Sequence, residues 1–225
     1  MKHAFGLSVP EKLEEICTPS RCALIVYDMQ VGIISQISEG PVVLSRCQEL
    51  LTAARAGGFR VFFTRHIFLP NRAAGVGQLR RAMVWQRKSD PVETKPLITQ
   101  GSRSCQIVSE LGPQDDEVVI DKITMSAFEG TFLDLALRDA HLQAFIIAGI
   151  ALEIGIEPTV RQGADLNYVP IVVTDACGSK NQQLKERSLA TLEETGEVIA
   201  VNTSQLTPLM KTSTGAGNVN TARQA

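Results

Sequence analysis

The sequence predicts an α/β fold, a doubly wound, six-stranded and mostly parallel sheet with helices on both faces. Three observations lead there. Six short apolar runs rich in β-branched residues recur along the chain. Amphipathic segments of helical spacing separate them, the alternation that favours parallel strands covered on both faces. With 225 residues, 44 % hydrophobic and 20 % charged, the chain has material for one sizeable domain and is cramped for two.

Residues 1–20 read as an N-terminal extension. CALIVY (22–27) is the first strand, VVLSRCQELLTAARAGG (42–58) a helix and RVFFT (60–64) the second strand. The stretch 66–101 is too long for a simple connection and reads as a site cover or an interface. Within it GVGQLRRAMVWQR (75–87) has helical spacing, with Leu79, Met83 and Val84 on one face and Arg80, Arg81 and Arg87 around it. SCQIVSELG (104–112) is expected to be helical before the third strand, EVVI (117–120). Then come helix 130–140, strand AFIIA (144–148), helix 157–167, strand PIVVT (170–174), helix 184–196 and strand EVIAV (197–201). The domain is bounded at 21–207. Residues 208–225 form a small, polar tail expected to be mobile or held by a neighbouring subunit.

A formal charge of −2 gives no global electrostatic reason to bind nucleic acid or an anionic membrane, so the expected partner is a small-molecule substrate. Five widely spaced cysteines, Cys17, Cys22, Cys47, Cys105 and Cys177, suggest neither a disulfide framework nor a zinc site and fit a reducing cytoplasm. No run approaches the roughly 18 apolar residues that span a bilayer. His3, His66 and His141 are far apart, with no carboxylate at a ligand spacing, so the site is expected to work without a metal or other cofactor.

In such sheets ligands bind beyond the carboxyl ends of the strands. The residues that follow the runs are therefore the candidates. Asp28 follows the first strand, as a helix cap or as a catalytic acid or base. Arg65 and His66 follow the second, where a lone histidine reads as a packing or hydrogen-bonding residue. Lys122 follows the third, and opposite a buried Asp28 it would hold that carboxylate ionised. After the fourth comes AGIALEIGIEPTVRQGADLNY (148–168), which puts Glu153 and Gly155 where a helix should begin.

ALIVYDMQ, VIDKITMSAFEGT and AGIALEIGIEPTVRQGADLNYVPIVVTDACGS, in this order, resemble the isochorismatase-like superfamily, also called the cysteine hydrolases, over about residues 20–203. The resemblance implies a six-stranded sheet and a site in which Asp28 and Lys122 face a residue at the start of the helix after the fourth strand. It also implies a cis peptide at Ile150–Ala151. Most members have a nucleophilic cysteine at that helix start; here the position falls on Gly155, as in isochorismatases proper, which hydrolyse an enol ether without a covalent intermediate. Gly155 is therefore expected to leave a cavity and free backbone N–H groups for an anionic or carbonyl oxygen.

Around this centre, Ile150, Ala151, Glu153, Trp85, Arg81 and Phe128 are the expected substrate contacts. Glu153 pairs either with the substrate or with an arginine of 66–101, unless it is only a first-turn carboxylate. Trp85 closes over the substrate, and Phe128 lines the pocket from the SAFEGT turn. The first expectation is a hydrolase of a small metabolite acting on an enol-ether or C–N bond, with Asp28 as acid or base. The second is a non-catalytic descendant that binds a small ligand or a partner. The resemblance further implies a homo-oligomer, with the apolar residues of 66–101 at its interface.

Overall fold

The computed structural model describes residues 1–212. The N-terminal extension is more structured than expected. Strands β1 (Lys2–Ala4) and β2 (Leu7–Val9) form an antiparallel hairpin, followed by a single turn of helix, α1 (Leu13–Ile16). The two residues between the strands, Phe5 and Gly6, both have positive φ, 52° and 79°, the twist that suits a two-residue hairpin.

The domain follows as β3 (Cys22–Tyr27), the short α2 (Val31–Ile34), α3 (Gly40–Ala56), β4 (Arg60–His66), α4 (Val76–Gln86), β5 (Val118–Lys122), α5 (Leu133–Asp139), β6 (Ala144–Ile150), α6 (Glu157–Asp165), β7 (Val169–Gly178), α7 (Gln182–Glu194), β8 (Ile199–Val201) and α8 (Thr203–Thr212). β3 to β8 are the six predicted strands. They form one sheet in the order β5-β4-β3-β6-β7-β8, and every pairing is parallel. The reversal of order between β3 and β6 opens a crevice at their carboxyl ends.

Strand side chains alternate between two cores. Leu24 and Val26 of β3 pack with Leu50, Phe63, Ile146 and Met210 on the α3/α8 face. Ala23, Ile25 and Tyr27 pack with Leu133, Phe145 and Val160 on the face of α5 and α6. This period of two with both faces apolar is why the buried strands read as continuous hydrophobic runs.

Two expectations are corrected. Residues 104–112 are not a helix: only a 3₁₀ turn, Arg103–Cys105, forms, and the chain then runs extended, with Gln30 bridging Ile107. Ser104 and Ser109 and the early Gly112 leave too few helix-favouring residues to propagate one. α8 runs through position 208, where the tail was expected to begin; the rest of that tail, 213–225, lies outside the described residues. Among the described residues no helix is long and apolar enough to cross a membrane.

Candidate active site

Four strand ends build the site. β3 ends in Tyr27, and Asp28 leaves it with φ 47°, a left-handed conformation that non-glycine residues seldom adopt outside turns and functional sites. One hydroxyl, that of Thr64 on β4, pins this residue. It accepts from the Asp28 N–H at 3.1 Å and donates to Asp28 Oδ1 at 2.6 Å. From β5, Lys122 Nζ donates to Asp28 Oδ2 at 2.7 Å, to the Tyr27 hydroxyl at 2.8 Å and to the Thr124 carbonyl at 3.2 Å. Its three protons are thus assigned, and the ammonium also lies 4.3 Å from the centre of the Tyr27 ring.

Both partners of this ion pair are buried, Asp28 4 % and Lys122 3 % exposed. Burial lowers the lysine below its usual range, and the Asp28 charge opposes that fall. Tyr27 moves the other way: burial first, then the neighbouring Asp28 charge, push its phenol well above the ordinary tyrosine value. It is therefore a neutral hydroxyl, which donates to the Met125 carbonyl and accepts from Lys122.

β6 supplies the far wall. Gly149 has φ 136°, and a Cβ there would meet the Tyr27 backbone nitrogen at 2.9 Å, so only glycine lets β6 lie this close to the end of β3. The Ile150–Ala151 peptide is cis. A π-helical turn, Leu152–Ile156, then leads into α6.

Gly155 borders the expected cavity, but the space its own side chain would have taken is filled. A Cβ on Gly155 would run into Tyr27, 2.6 Å from Cε1 and closer still to the hydroxyl. The phenol fills the space that the missing side chain leaves. Nor is the Gly155 N–H free, because it donates to the Ala151 carbonyl at 3.0 Å, which also receives the Ile156 N–H at 3.2 Å. A π-turn pairs these amides inward, where a regular helix start would have left them open.

The open volume lies beside this position: a cavity of about 240 Å³ lined by Tyr27, Asp28, His66, Gly155 and the cis pair Ile150 and Ala151. Ile33, Phe68, Trp85, Ile98 and Met125 give it apolar walls, and Gln36 and Lys180 add polar groups. Trp85 on α4 stands edge-on to Phe68 at 6.0 Å and is 43 % exposed. The segment 66–101 thus contributes to the site wall as well as to the surface.

Three expected contacts lie elsewhere. Phe128 is a core residue, stacked on Tyr168 at 5.7 Å and edge-on to Phe145, on the α5/α6 side of the sheet. Arg81 and Glu153 are absent from the cavity wall and form no ion pair with each other, although Arg81 Nε and Glu153 Oε2 are both buried without a hydrogen-bond partner. Periodicity could not place them. The wall of α4 is set by how its helix docks, and the π-turn rotates residue 153 away from the position a regular helix would give it.

Two residues were passed over or undervalued. Gln30 clamps the β4 end, taking the His66 N–H at 2.7 Å and donating to the carbonyls of His66 at 3.0 Å and Cys105 at 3.1 Å. His66 lines the cavity with its Nδ1 buried and unpartnered. Among the described residues, no group of three or more His, Cys, Asp or Glu is placed to hold a metal ion. All five cysteines are unpaired and buried; burial pushes Cys17 and Cys177 up to about 12, and raises Cys22, Cys47 and Cys105 as well.

An all-parallel sheet with a buried Asp–Lys pair at the strand ends, beside a cis peptide, is the arrangement that the resemblance of the sequence to α/β hydrolases implies. The isochorismatase domain profile matches residues 22–203, and the chain belongs to the isochorismatase family as a hydrolase. A ureidoacrylate amidohydrolase of Serratia proteamaculans is 30 % identical over 199 residues, 81 % of this chain and 80 % of that protein. Among solved structures, a cysteine hydrolase from Pseudomonas syringae pv. phaseolicola matches with a TM-score of 0.75 at 23 % identity, covering 87 % of this chain and 95 % of the other. An isochorismatase family protein from Burkholderia thailandensis matches with a TM-score of 0.71 at 26 % identity, covering 86 % and 97 %.

Proposed function

We propose that the protein hydrolyses a C–N bond of a small amide or ureide by direct attack of water, with Asp28 as the general base and no covalent enzyme intermediate. The observation that supports this most is the setting of Asp28. Its carboxylate lines the cavity and accepts one hydrogen bond on each oxygen, from Thr64 and Lys122, which fix its orientation there. Each oxygen keeps a lone pair for a proton.

The water oxygen bonds to the substrate carbonyl carbon as its proton passes to Asp28. The C–N bond then breaks, and the same proton goes to the departing nitrogen, which returns Asp28 to the carboxylate. Lys122 keeps the carboxylate oriented and balances its charge. No cysteine lines the cavity, so the wall offers no thiol for a covalent route. An enol ether would instead require Asp28 to deliver a proton to carbon, although both of its oxygens already accept hydrogen bonds from Thr64 and Lys122. The names of curated relatives point the same way, since ureidoacrylate amidohydrolases act on a C–N bond by name. Five unpaired cysteines suit a cytoplasmic setting for this chemistry.

The test is turnover of the purified protein against matched amides, ureides, carbamates and enol ethers, with intact-protein mass spectra taken during the reaction. Release of ammonia or amine without any mass adduct is expected. Turnover confined to enol ethers, or an acyl adduct on any residue, would remove this reading. Saturable binding with no turnover at all would favour a ligand-binding role.

A further inference from the structure

We propose that His66 is a specificity-determining residue: its imidazole hydrogen-bonds the polar head of the substrate beside Asp28, while the body of the substrate is apolar. The identity of that head as an amide or ureide rests on the reaction proposed above. The role of His66 stands on its own geometry.

His66 closes β4, at the strand end next to Asp28, and is 6 % exposed. Its main chain is held on both sides by Gln30, which fixes the point from which the ring projects. The ring meets Phe68 edge-on at 5.1 Å and lines the cavity. Its Nδ1 is buried and has no hydrogen-bond partner. Folded proteins leave few buried polar atoms in that condition, and a ligand that fills the cavity is the simplest partner for this one.

The chemistry of the ring narrows the ligand. Burial, the largest influence, lowers its pKa to about 4; Asp28 and a hydrogen bond with the Thr124 main chain oppose this, while Lys122 and Arg81 add to it. At neutral pH the imidazole is therefore uncharged, and its unpartnered Nδ1 offers the ligand one N–H or one lone pair according to the tautomer. Either suits an uncharged amide or ureide, which presents both a donor and an acceptor. Around it, Ile33, Phe68, Trp85, Ile98, Met125 and Ile150 offer the substrate apolar or aromatic surface, with Gln36 and Lys180 as further polar groups on the wall. A small polar molecule would leave those walls uncovered; a benzyl-sized group would cover them.

Trp85 is the only tryptophan and stands on the cavity wall, so its fluorescence reports occupancy. The full chain is titrated with phenylacetamide and with benzylurea. A saturable change is expected in the wild type. His66→Leu should raise Kd roughly tenfold, the usual cost of one lost hydrogen bond. His66→Gln keeps a donor and an acceptor and should stay within about threefold of wild type by the same reasoning. A purely structural histidine would not give this rescue. His66→Met provides a second apolar replacement if the leucine variant fails to fold.

The assignment is overturned if the apolar variants bind as tightly as wild type, if glutamine does no better than leucine, or if neither probe gives a saturable response in the wild type. Turnover measured in parallel separates the two proposals. The binding pattern without amide hydrolysis supports His66 and removes the reaction; hydrolysis with KM unchanged in His66→Leu keeps the reaction and removes His66.

Discussion

The Tyr27 hydroxyl occupies the space in which a side chain at position 155 would begin. Any side chain at 155 therefore requires Tyr27 to shift or to shrink. Gly155→Cys should overpack this point and cost about 1–3 kcal/mol in urea unfolding, the usual penalty for inserted atoms in a packed site. Tyr27→Val itself loses the bonds to Met125 and Lys122, but in its background Gly155→Cys should cost at most half as much, because room has been made. A Gly155→Cys protein as stable as wild type would show that Tyr27 moves aside freely.

Asp28 and Lys122 separate by mutation. Asp28→Asn keeps the shape and the bond to Lys122 but removes the base, so turnover should fall by a factor on the order of 10² to 10⁴. Lys122→Met removes the donor to both Asp28 and Tyr27 and leaves a buried carboxylate unbalanced. Both variants should lose stability, since Asp28→Asn likewise leaves the buried Lys122 ammonium without its counter-charge, but only Asp28→Asn removes the base and should show the larger fall in rate. Circular dichroism and steady-state kinetics on both variants check the split; near wild-type turnover in Asp28→Asn would take the residue out of the chemistry.

The cysteines should be spectators. Each thiol is buried with its pKa raised, so little thiolate is present at neutral pH. Treatment of the native protein with iodoacetamide at about pH 7.5 should leave both its mass and its activity unchanged on the timescale that modifies a free thiol of ordinary pKa. Rapid loss of activity with one alkylated cysteine would reopen a thiol mechanism.

The sequence announced the sheet more clearly than the site. β3 to β8 were legible because strands buried on both faces spell continuous apolar runs, as in CALIVY. Asp28 and Lys122 were legible because parallel strands put their final residues at one edge, so that two positions 94 apart in the chain meet at 2.7 Å. The hairpin of residues 2–9 was missed because its strands are three residues each and fully exposed, too short for periodicity to register. Gly155 was misread for another reason. A glycine in the sequence marks a missing side chain, but only the fold shows that Tyr27, from a strand 128 positions earlier, fills the gap. His66 was undervalued because nothing local distinguishes a packed histidine from one left unpaired in a cavity.

We further propose that the protein is a homo-oligomer, with the segment 66–101 at the interface. Phe68 and Ile98 of that segment are buried in the chain's own fold, but Val76, Val84 and Val92 are 77 %, 74 % and 87 % exposed. Light scattering at micromolar concentration should give at least twice the chain mass. Val84→Glu should shift that mass downward, since a buried unpaired carboxylate disfavours association. A monomeric mass for the wild type would remove the proposal.

His66 should also make the fold sensitive to acid. Its pKa falls from the ordinary 6.5 to about 4 in the folded chain, mainly through burial, with Asp28, Lys122 and Arg81 as the charges that face it. Between those values the unfolded chain binds a proton that the folded chain refuses. Stability from this residue is therefore complete above about pH 6.5, declines as the pH falls, and is lost by about pH 4, a span of up to about 3 kcal/mol. His66→Leu cannot take up that proton in either state. Urea unfolding of both proteins at several pH values between about 7 and 4 isolates the contribution, because every other carboxylate and histidine is common to the two. The wild-type curve should fall below the variant's by an amount that grows toward pH 4; parallel curves would mean that the folded site accepts a charged imidazole, in which case a neutral hydrogen-bonding role for His66 no longer follows.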